Sequence, residues 1–350
     1  MTTGKAVVIG GYGNAGQVIV RLMLAHTECD VVVAGRSLAK AHAMVAQLDD
    51  PRLQAAQADA TDAASLATVL KDADLLIVAA GTSATWRTTA RASLDAGCHQ
   101  LDIQIDSAKS AGLRDLDGLA KERGVCIVTD CGFHPGVPAA MIRAHPELTS
   151  AVVSSWIGVD WAGLGAFSQS TVDEMLQEFS DYRYEAYVDG RWTRAKGMRT
   201  ARFPAPIGAK KVAAMGLDEL HELTDSRPEL RETGFFVGGF PTLVNYAVIP
   251  LVYAGMRYVP RARKPLGRLL DASLRRFSKP PFVTYLQLDS GSRTVMRLSH
   301  SDAYLLTAAP VVAAARQVLD GGPPGVHLQA MLVDPERFFT DLQAMGVAIA

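Results

Sequence analysis

The chain has too few cysteines, at the wrong spacings, for a disulfide framework or a structural zinc site. Cys29, Cys98, Cys126 and Cys131 form no C-x-x-C pair, which suits buried or free thiols in a reducing compartment, and no metal is expected. An excess of charge is also missing. With 35 basic against 36 acidic residues, nothing favours nucleic acid as a partner, and an anionic ligand must be held locally. No apolar run reaches the roughly 20 residues a membrane helix needs. The longest, Leu243 to Met256, contains Asn245, Pro250 and two tyrosines and reads as a core or interface helix rather than an integral span. The first strand pattern begins within a few residues of Met1 and leaves no room for a cleavable leader, so a cytoplasmic location is expected. Core material, by contrast, is plentiful. Residues are 49% hydrophobic and 20% charged, the balance of a folded chain, and 350 residues exceed what one core comfortably holds, so two domains are expected.

The most informative stretch is Val7-Val8-Ile9-Gly10-Gly11-Tyr12-Gly13-Asn14-Ala15-Gly16, which reads strand, tight turn, helix. Gly11, Gly13 and Gly16 fill the G-x-G-x-x-G spacing of a dinucleotide-binding turn, where a pyrophosphate meets the backbone and the helix N-terminus. Among 30 glycines the spacing alone is weak, and its plain alternative is an ordinary turn. Context strengthens it: an apolar run precedes it, an amphipathic segment follows, and a second apolar run, Val31 to Ala34, comes about twenty residues later. Tyr12, Asn14 and Ala15 complete the turn. The tip after the second run is Gly35-Arg36-Ser37. It lacks the carboxylate that binds the ribose 2′-hydroxyl of NAD, and Arg36 with the Ser37 hydroxyl suits the 2′-phosphate of NADP; the alternative for Arg36 is a solvated loop charge.

Apolar runs at Leu53 to Ala60 and Leu75 to Gly81 continue the parallel pattern. Asp59 and Ala60 are expected beside the adenine, and Ala80, Gly81 and Thr82 under the pyrophosphate and ribose, although a hydroxyl there also suits a helix cap. A strand around Gln100 to Ile103 carries Gln104 and Asp106 at its tip, plausible neighbours of the nicotinamide amide. A helix from Ser107 to Arg123 then leads to the strand Val125 to Thr129. After it comes a second glycine-rich turn, Asp130-Cys131-Gly132-Phe133-His134-Pro135-Gly136, placed where a substrate would meet the cofactor. His134 is read either as a catalytic or substrate-contacting group or as a hydrogen-bonding brace of the turn. Asp130 is read as a partner for a cationic nitrogen or as a local cap. Cys131 is read as a small buried residue, since hydride transfer needs no thiolate.

Beyond Ala151 the alternation stops. Strands are expected at Val152 to Asp160, Tyr184 to Val188, Arg191 to Thr193 across an Asp189-Gly190 hairpin, Phe282 to Leu288 and Thr294 to Leu298. Helices are expected near Thr171 to Asp181 and Leu243 to Tyr258, the latter followed by a basic segment, Arg257 to Arg276. Lys210 and Lys211 are candidate partners of a substrate carboxylate, against the plainer reading of surface lysines. The helix Ala303 to Leu319 is expected to return to the first domain, ahead of a strand Val326 to Val333 and a helix Pro335 to Met345. The fold class is α/β: a doubly wound parallel sheet at residues 1–145, an α+β domain with a mixed or antiparallel sheet at 146–300, and the returning helix and tail at 301–350.

Several of these pieces together resemble the saccharopine dehydrogenase NADP-binding family, which includes saccharopine reductases and carboxynorspermidine dehydrogenases. They are Gly10 to Gly16, Val33 to Ala41, Asp59 to Asp62, Leu94 to Asp102 and Gly132 to Gly136. The resemblance implies a Rossmann domain with an inserted mixed-sheet domain, NADP(H), and chemistry at a C–N bond. His134 departs from it, since family members commonly carry Asp there. The function expected is hydride transfer between the nicotinamide and an imine or amine carbon of an amino-acid-derived small molecule, by a homodimer. The alternatives are a non-catalytic dinucleotide-binding scaffold that uses its apolar and basic helices on a membrane or partner, and a C=C or carbonyl reductase.

Overall fold

The apolar runs of the first half carry no polar face, and the fold covers both of their sides. In the computed structural model, which describes residues 2–80, 85–104, 106–163 and 183–350, they form β1 (Lys5–Ile9), β2 (Asp30–Gly35), β3 (Leu53–Gln57), β4 (Leu75–Val78), β5 (His99–Asp102) and β6 (Cys126–Thr129). All are parallel, and the strand Gly325–Leu328 adds beside β6, giving the order Gly325–Leu328, β6, β5, β4, β1, β2, β3. Ala6, Val7 and Val8 of β1 and Leu75, Leu76 and Ile77 of β4 are fully buried, as a parallel sheet sandwiched between helices requires. From β1 the chain builds outward to β3, then crosses back to place β4 on the other side of β1. The strand order therefore reverses between β1 and β4, and this doubly wound arrangement opens a crevice at their carboxyl ends.

Local chemistry sets the helix ends. Helices α1 (Asn14–His26), α2 (Leu38–Leu48), α3 (Ala63–Val69) and α4 (Trp86–Ala96) follow the first four strands. The Ser37 and Asp62 side chains accept the Lys40 and Ala64 N–H groups at the starts of α2 and α3, and Gly97 ends α4 at φ 68, a conformation that suits glycine. The single helix expected over Ser107 to Arg123 is two, α5 (Ser107–Arg114) and α6 (Asp117–Arg123). The reason is tertiary. Asp117, at the break, accepts the Val326 N–H of the returning strand at 2.9 Å.

The chain divides into two units, Met1–Ala140 with Tyr304–Val347, and Met141–Ala303 with Ala348–Ala350. In the first, the helix Ala303–Leu319 buries an alanine-rich stretch, Ala308 to Ala315, whose small side chains permit close packing. The strand expected to run from Val326 to Val333 stops at Leu328, and Gln329–Leu332 is a helical turn. The Gln329 side chain is drawn away from the sheet direction to bond with Gly132.

The second unit is built on a nine-stranded mixed sheet. Its strands are β7 (Ser150–Trp156), β8 (Glu185–Val188), β9 (Arg191–Arg194), β10 (Arg199–Arg202), β11 (Ala209–Met215), β12 (Glu232–Gly238), β13 (Thr284–Ser290) and β14 (Arg293–His300), with Ala348–Ile349 at one edge. The order is β10, β11, β12, β7, β13, β14, Ala348–Ile349, while β8 pairs with β12 and β9. Among the described strands of this second sheet, only β7 and β12 pair in parallel. Asp189 (φ 53) and Gly190 (φ 78) turn the β8–β9 hairpin, the positive angles that a two-residue primed turn demands. The sequence pattern did not reveal β10, β11, β12 or the helix Asp218–Ser226. β11 is alanine- and lysine-rich, and the glycines of β12 read as turns. In the sheet, however, Gly238 marks a close approach, since a Cβ there would lie 3.0 Å from the Lys211 carbonyl oxygen. The helix expected near Thr171 to Asp181 lies outside the described residues.

The long apolar run forms a π-turn at Val244–Val248 and a helix at Ile249–Tyr258. Val244, Val248 and Val252 pack with Leu270 and Leu274 of the basic helix Arg263–Phe277, while Leu243, Tyr246, Leu251, Tyr253 and Tyr258 remain exposed. Among the described residues no helix is long and apolar enough to cross a membrane.

Candidate functional site

The glycine turn is shaped by contacts that leave no room for side chains. Gly10 takes φ 81, and its N–H donates to the Ala34 carbonyl of β2 at 2.8 Å. A Cβ on Gly16 would sit 2.1 Å from the Gly10 carbonyl oxygen, and one on Gly11 would sit 2.9 Å from that of Val8. Gly13 is the N-cap of α1 and supplies no side-chain cap; the first bond of the helix runs from the Gln17 N–H to its carbonyl at 2.8 Å. The N–H groups of Asn14, Ala15 and Gly16 therefore have no acceptor within the helix, at the positive end of its dipole. This cradle suits a pyrophosphate. The Asn14 amide also donates to the Tyr304 hydroxyl at 2.8 Å, fastening the returning helix to the turn.

Tyr12 joins the turn to the tip of β2. Its hydroxyl accepts the Ser37 N–H at 3.0 Å, and its ring crosses Gly35, where a Cβ would lie 2.6 Å from that hydroxyl oxygen. Arg36 is exposed, and its guanidinium forms no ion pair within 4.0 Å among the described residues. Beside it the Asp59 carboxylate accepts the backbone N–H and the hydroxyl of Thr61 at 2.9 and 2.8 Å. Those bonds, with a smaller contribution from Arg36, hold Asp59 below the usual carboxylate range. Ala60 is buried. Ala80, two residues past β4, accepts the Gln104 side-chain amide at its carbonyl at 2.6 Å; Gly81 and Thr82 lie outside the described residues.

Sequence reasoning missed the charged cluster beneath these tips. Lys109, fully buried, donates to the Asp102 carboxylate and to the Gln104 carbonyl and lies 3.5 Å from the Asp130 carboxylate. Burial opposes the ammonium charge, but the two carboxylates outweigh it and raise Lys109 above its ordinary value. Thr129 donates to Asp102 at 3.2 Å and Ser110 to Asp130 at 3.3 Å. One lysine thus fixes the ends of β5 and β6 and positions Gln104 and Asp130. The only sequence trace is an acid ending an apolar strand and a lysine seven residues later. Asp106 caps α5, accepting the Lys109 N–H at 3.0 Å.

The second glycine turn is held from a distance. Asp130 (φ 55), Gly132 (φ 152) and Gly136 (φ 114) depart from ordinary backbone angles, and Gln329, 197 positions away, binds both polar groups of Gly132. Its side-chain oxygen accepts the Gly132 N–H at 3.2 Å, and its amide donates to the Gly132 carbonyl at 3.1 Å. Burial lowers the half-buried His134 imidazole to about 4, so it is neutral at physiological pH. Burial likewise pushes the Cys131 thiol well above its ordinary value. That leaves Cys131 unsuited to thiolate chemistry.

Lys210 and Lys211 lie on β11 of the second unit. Successive strand residues face opposite sides: Lys210 is half-buried with its Nζ 5.4 Å from the centre of the Trp156 ring, and Lys211 is exposed. One ligand group therefore reaches one of them.

Residues 6–128 match the family described as "Saccharopine dehydrogenase NADP binding domain". Comparison with curated proteins gave no match. The apo saccharopine dehydrogenase (L-Glu forming) of Saccharomyces cerevisiae is 16% identical, with 99% of each chain covered and a TM-score of 0.68, which shows a shared fold. The C. glutamicum DAP dehydrogenase in complex with DAP is 14% identical over 98% of this chain and 99% of that one, at a TM-score of 0.47, too low to carry an argument.

Proposed function

We propose, from the match of residues 6–128 to the saccharopine dehydrogenase NADP-binding domain family, that the chain is an NADP(H)-dependent oxidoreductase. It transfers hydride at a C–N bond, reducing an imine or oxidising an amine of an amino-acid-derived small molecule. The observation that carries the cofactor choice is the tip of β2, where an exposed Arg36, without an ion pair among the described residues, stands in place of a carboxylate. The residues present fit the cofactor. Gly11, Gly13 and Gly16 let the turn fold onto its own backbone, where a Cβ would lie 2.9, 3.0 and 2.1 Å from a carbonyl oxygen, the first turn of α1 offers N–H groups to a pyrophosphate, and Arg36 with Ser37 offers a cation and a hydroxyl to a 2′-phosphate. When bound, the nicotinamide supplies or accepts the hydride.

The chain's own contribution is to hold the reacting nitrogen. Hydride addition to a protonated imine, R₂C=NHR⁺, gives the amine R₂CH–NHR and needs no further proton, whereas a carbonyl acceptor needs one at its oxygen. His134 is neutral near physiological pH, so it is suited to hydrogen-bonding a substrate rather than to pairing with a substrate carboxylate as a cation. In this reading Asp130 faces the cationic nitrogen, His134 bonds to the substrate, and Gln104 and Asp106 stand near the nicotinamide amide. The reading includes a homodimer, for which the exposed Leu243, Tyr246, Leu251 and Tyr253 provide apolar surface, and a cytoplasmic location, in keeping with four buried free cysteines.

Arg36→Ala tests the cofactor choice. Loss of a charge-assisted contact costs about 1.5–3 kcal/mol, or roughly 10- to 100-fold in NADPH affinity, with NADH affinity little changed. Equal losses for both would reject it. NADPH oxidation with amine and carbonyl pairs tests the reaction: tight NADPH binding without turnover across a wide panel of pairs would overturn the C–N reading.

A further inference from the structure

Trp156, Trp161, Phe240 and Phe277 converge in the second unit on a cavity of about 450 Å³, a volume typical of small-molecule sites. It lies at the carboxyl ends of the parallel pair β7 and β12, and main-chain contacts build its walls. The Ile157 N–H donates to the Gly238 carbonyl at 2.8 Å, the Gly158 N–H to the Thr284 hydroxyl at 3.3 Å, and the Ser278 hydroxyl to the Val159 carbonyl at 2.9 Å. Two glycines permit this crossing. A Cβ on Gly158 would lie 2.3 Å from the Val283 carbonyl oxygen, and one on Gly239, at φ +115, would lie 2.3 Å from that of Ile157. The cavity is therefore set by the backbone, before any ligand arrives.

Its lining joins flat aromatic faces to polar backbone and two cations. The Trp161 and Phe240 rings stack with centroids 6.5 Å apart at 15°, giving a planar wall. Lys210 and Lys279 are its charged residues, and no Asp or Glu lines it among the described residues. Lys210 is half-buried against Trp156 and has no carboxylate within 4.0 Å among the described residues. Lys279 is exposed. A half-buried ammonium without a counter-ion, set among aromatic faces, calls for an anion with an apolar body. One enclosed cation suits a single carboxylate better than a multiply charged phosphate ester, which needs several convergent donors.

We propose that this cavity binds a carboxylate carried on an aromatic or similarly flat apolar body, with Lys210 meeting the carboxylate and Trp156, Trp161 and Phe240 meeting the ring. The proposal stands apart from the hydride-transfer reading, because it rests on the second unit alone. A substrate and an effector of this chemistry would bind alike.

Trp156 and Trp161 line the cavity, so tryptophan emission of the full-length protein reports occupancy. Titration with 3-phenylpropionate is expected to saturate, whereas 3-phenylpropionamide, which lacks the charge, and acetate, which lacks the ring, bind at least about tenfold more weakly. Lys210→Met should reduce 3-phenylpropionate affinity to that of the amide without changing the melting temperature or NADPH affinity, and Lys210→Arg should retain most of it. Equal binding of acid and amide, an unaffected Lys210→Met variant, or no saturable signal at millimolar acid overturns the proposal. Because NADPH affinity is read in the same variants, that failure is distinct from a failure of the dinucleotide reading. Phenylpyruvate supplied with ammonium and NADPH separates the two sources: its conversion to the amine marks a substrate, and its recovery unchanged marks an effector.

Discussion

Lys109→Met keeps much of the side-chain length and removes the ammonium that pairs with Asp102 and Asp130. In the native protein Lys109 bonds to Asp102 and Gln104 and lies 3.5 Å from Asp130, and all three charged side chains are at least 95% buried. Without it, one Asp102 oxygen keeps Thr129 and the Gln104 N–H, at 3.2 and 3.3 Å. The other, Oδ2, already lacks a hydrogen-bond partner among the described residues. The buried Asp102 carboxylate then loses its ion-pair partner, and breaking such a pair costs about 3–5 kcal/mol. For a unit of roughly 150–250 residues, that is about 6–20 °C in melting temperature. Circular dichroism melts of Lys109→Met, Asp102→Asn and the double variant measure it. The double variant should be more stable than the summed single losses predict, by about 0.5–3 kcal/mol. The pH dependence has a definite sign. Because the folded state holds Lys109 above its ordinary 10.5, its contribution is complete below pH 10.5 and is lost as the pH rises through the folded value. A loss in Lys109→Met below about 1 kcal/mol, or losses that simply add, would refute the account of one lysine neutralising two strand tips.

Three further outcomes are expected. His134, lowered to about 4 in the folded state, binds a proton more readily unfolded, so its contribution is present above pH 6.5 and fades as the pH falls towards 4; melts of His134→Gln against pH should be flatter than the native profile across that window. Gln329→Ala leaves both buried backbone groups of Gly132 without their partners and should cost about 1–3 kcal/mol, read in urea unfolding, where an unchanged midpoint would count against the brace. Gly16→Ala gains a little helix propensity but places a methyl 2.1 Å from the Gly10 carbonyl oxygen. Overpacking of about 1–3 kcal/mol should dominate, and calorimetry should show NADPH affinity falling with stability.

The parts of the site legible in the sequence are those made by neighbours in the chain. The glycine spacing, the Arg36–Ser37 tip and the Asp189–Gly190 hairpin depend on backbone angles and on side chains within a few residues of one another. Gln329 was not legible as a brace, because its partner lies 197 positions away, and the segment containing it reads as a continuous strand. Lys109 was not legible either. A lysine in the first turn of a helix normally signals solvent, and only the packing of α5 beneath β5 and β6 encloses it. β12 was hidden for a related reason, since the glycines that let neighbouring backbones approach are the residues that mark turns elsewhere.

By itself, the sequence determined the parallel apolar strands, the doubly wound plan and the character of the dinucleotide turn, because hydrophobic runs, glycine angles and helix caps act over a few residues. Only the tertiary structure decided that Gly325–Leu328 completes the first sheet, that Gln329 holds the second turn, that Lys109 serves two carboxylates, and that Lys210 rather than Lys211 lines an aromatic cavity. Each of these follows from burial and long-range pairing. The free energy of a charge or an amide depends on what surrounds it, and that is set only when distant segments meet.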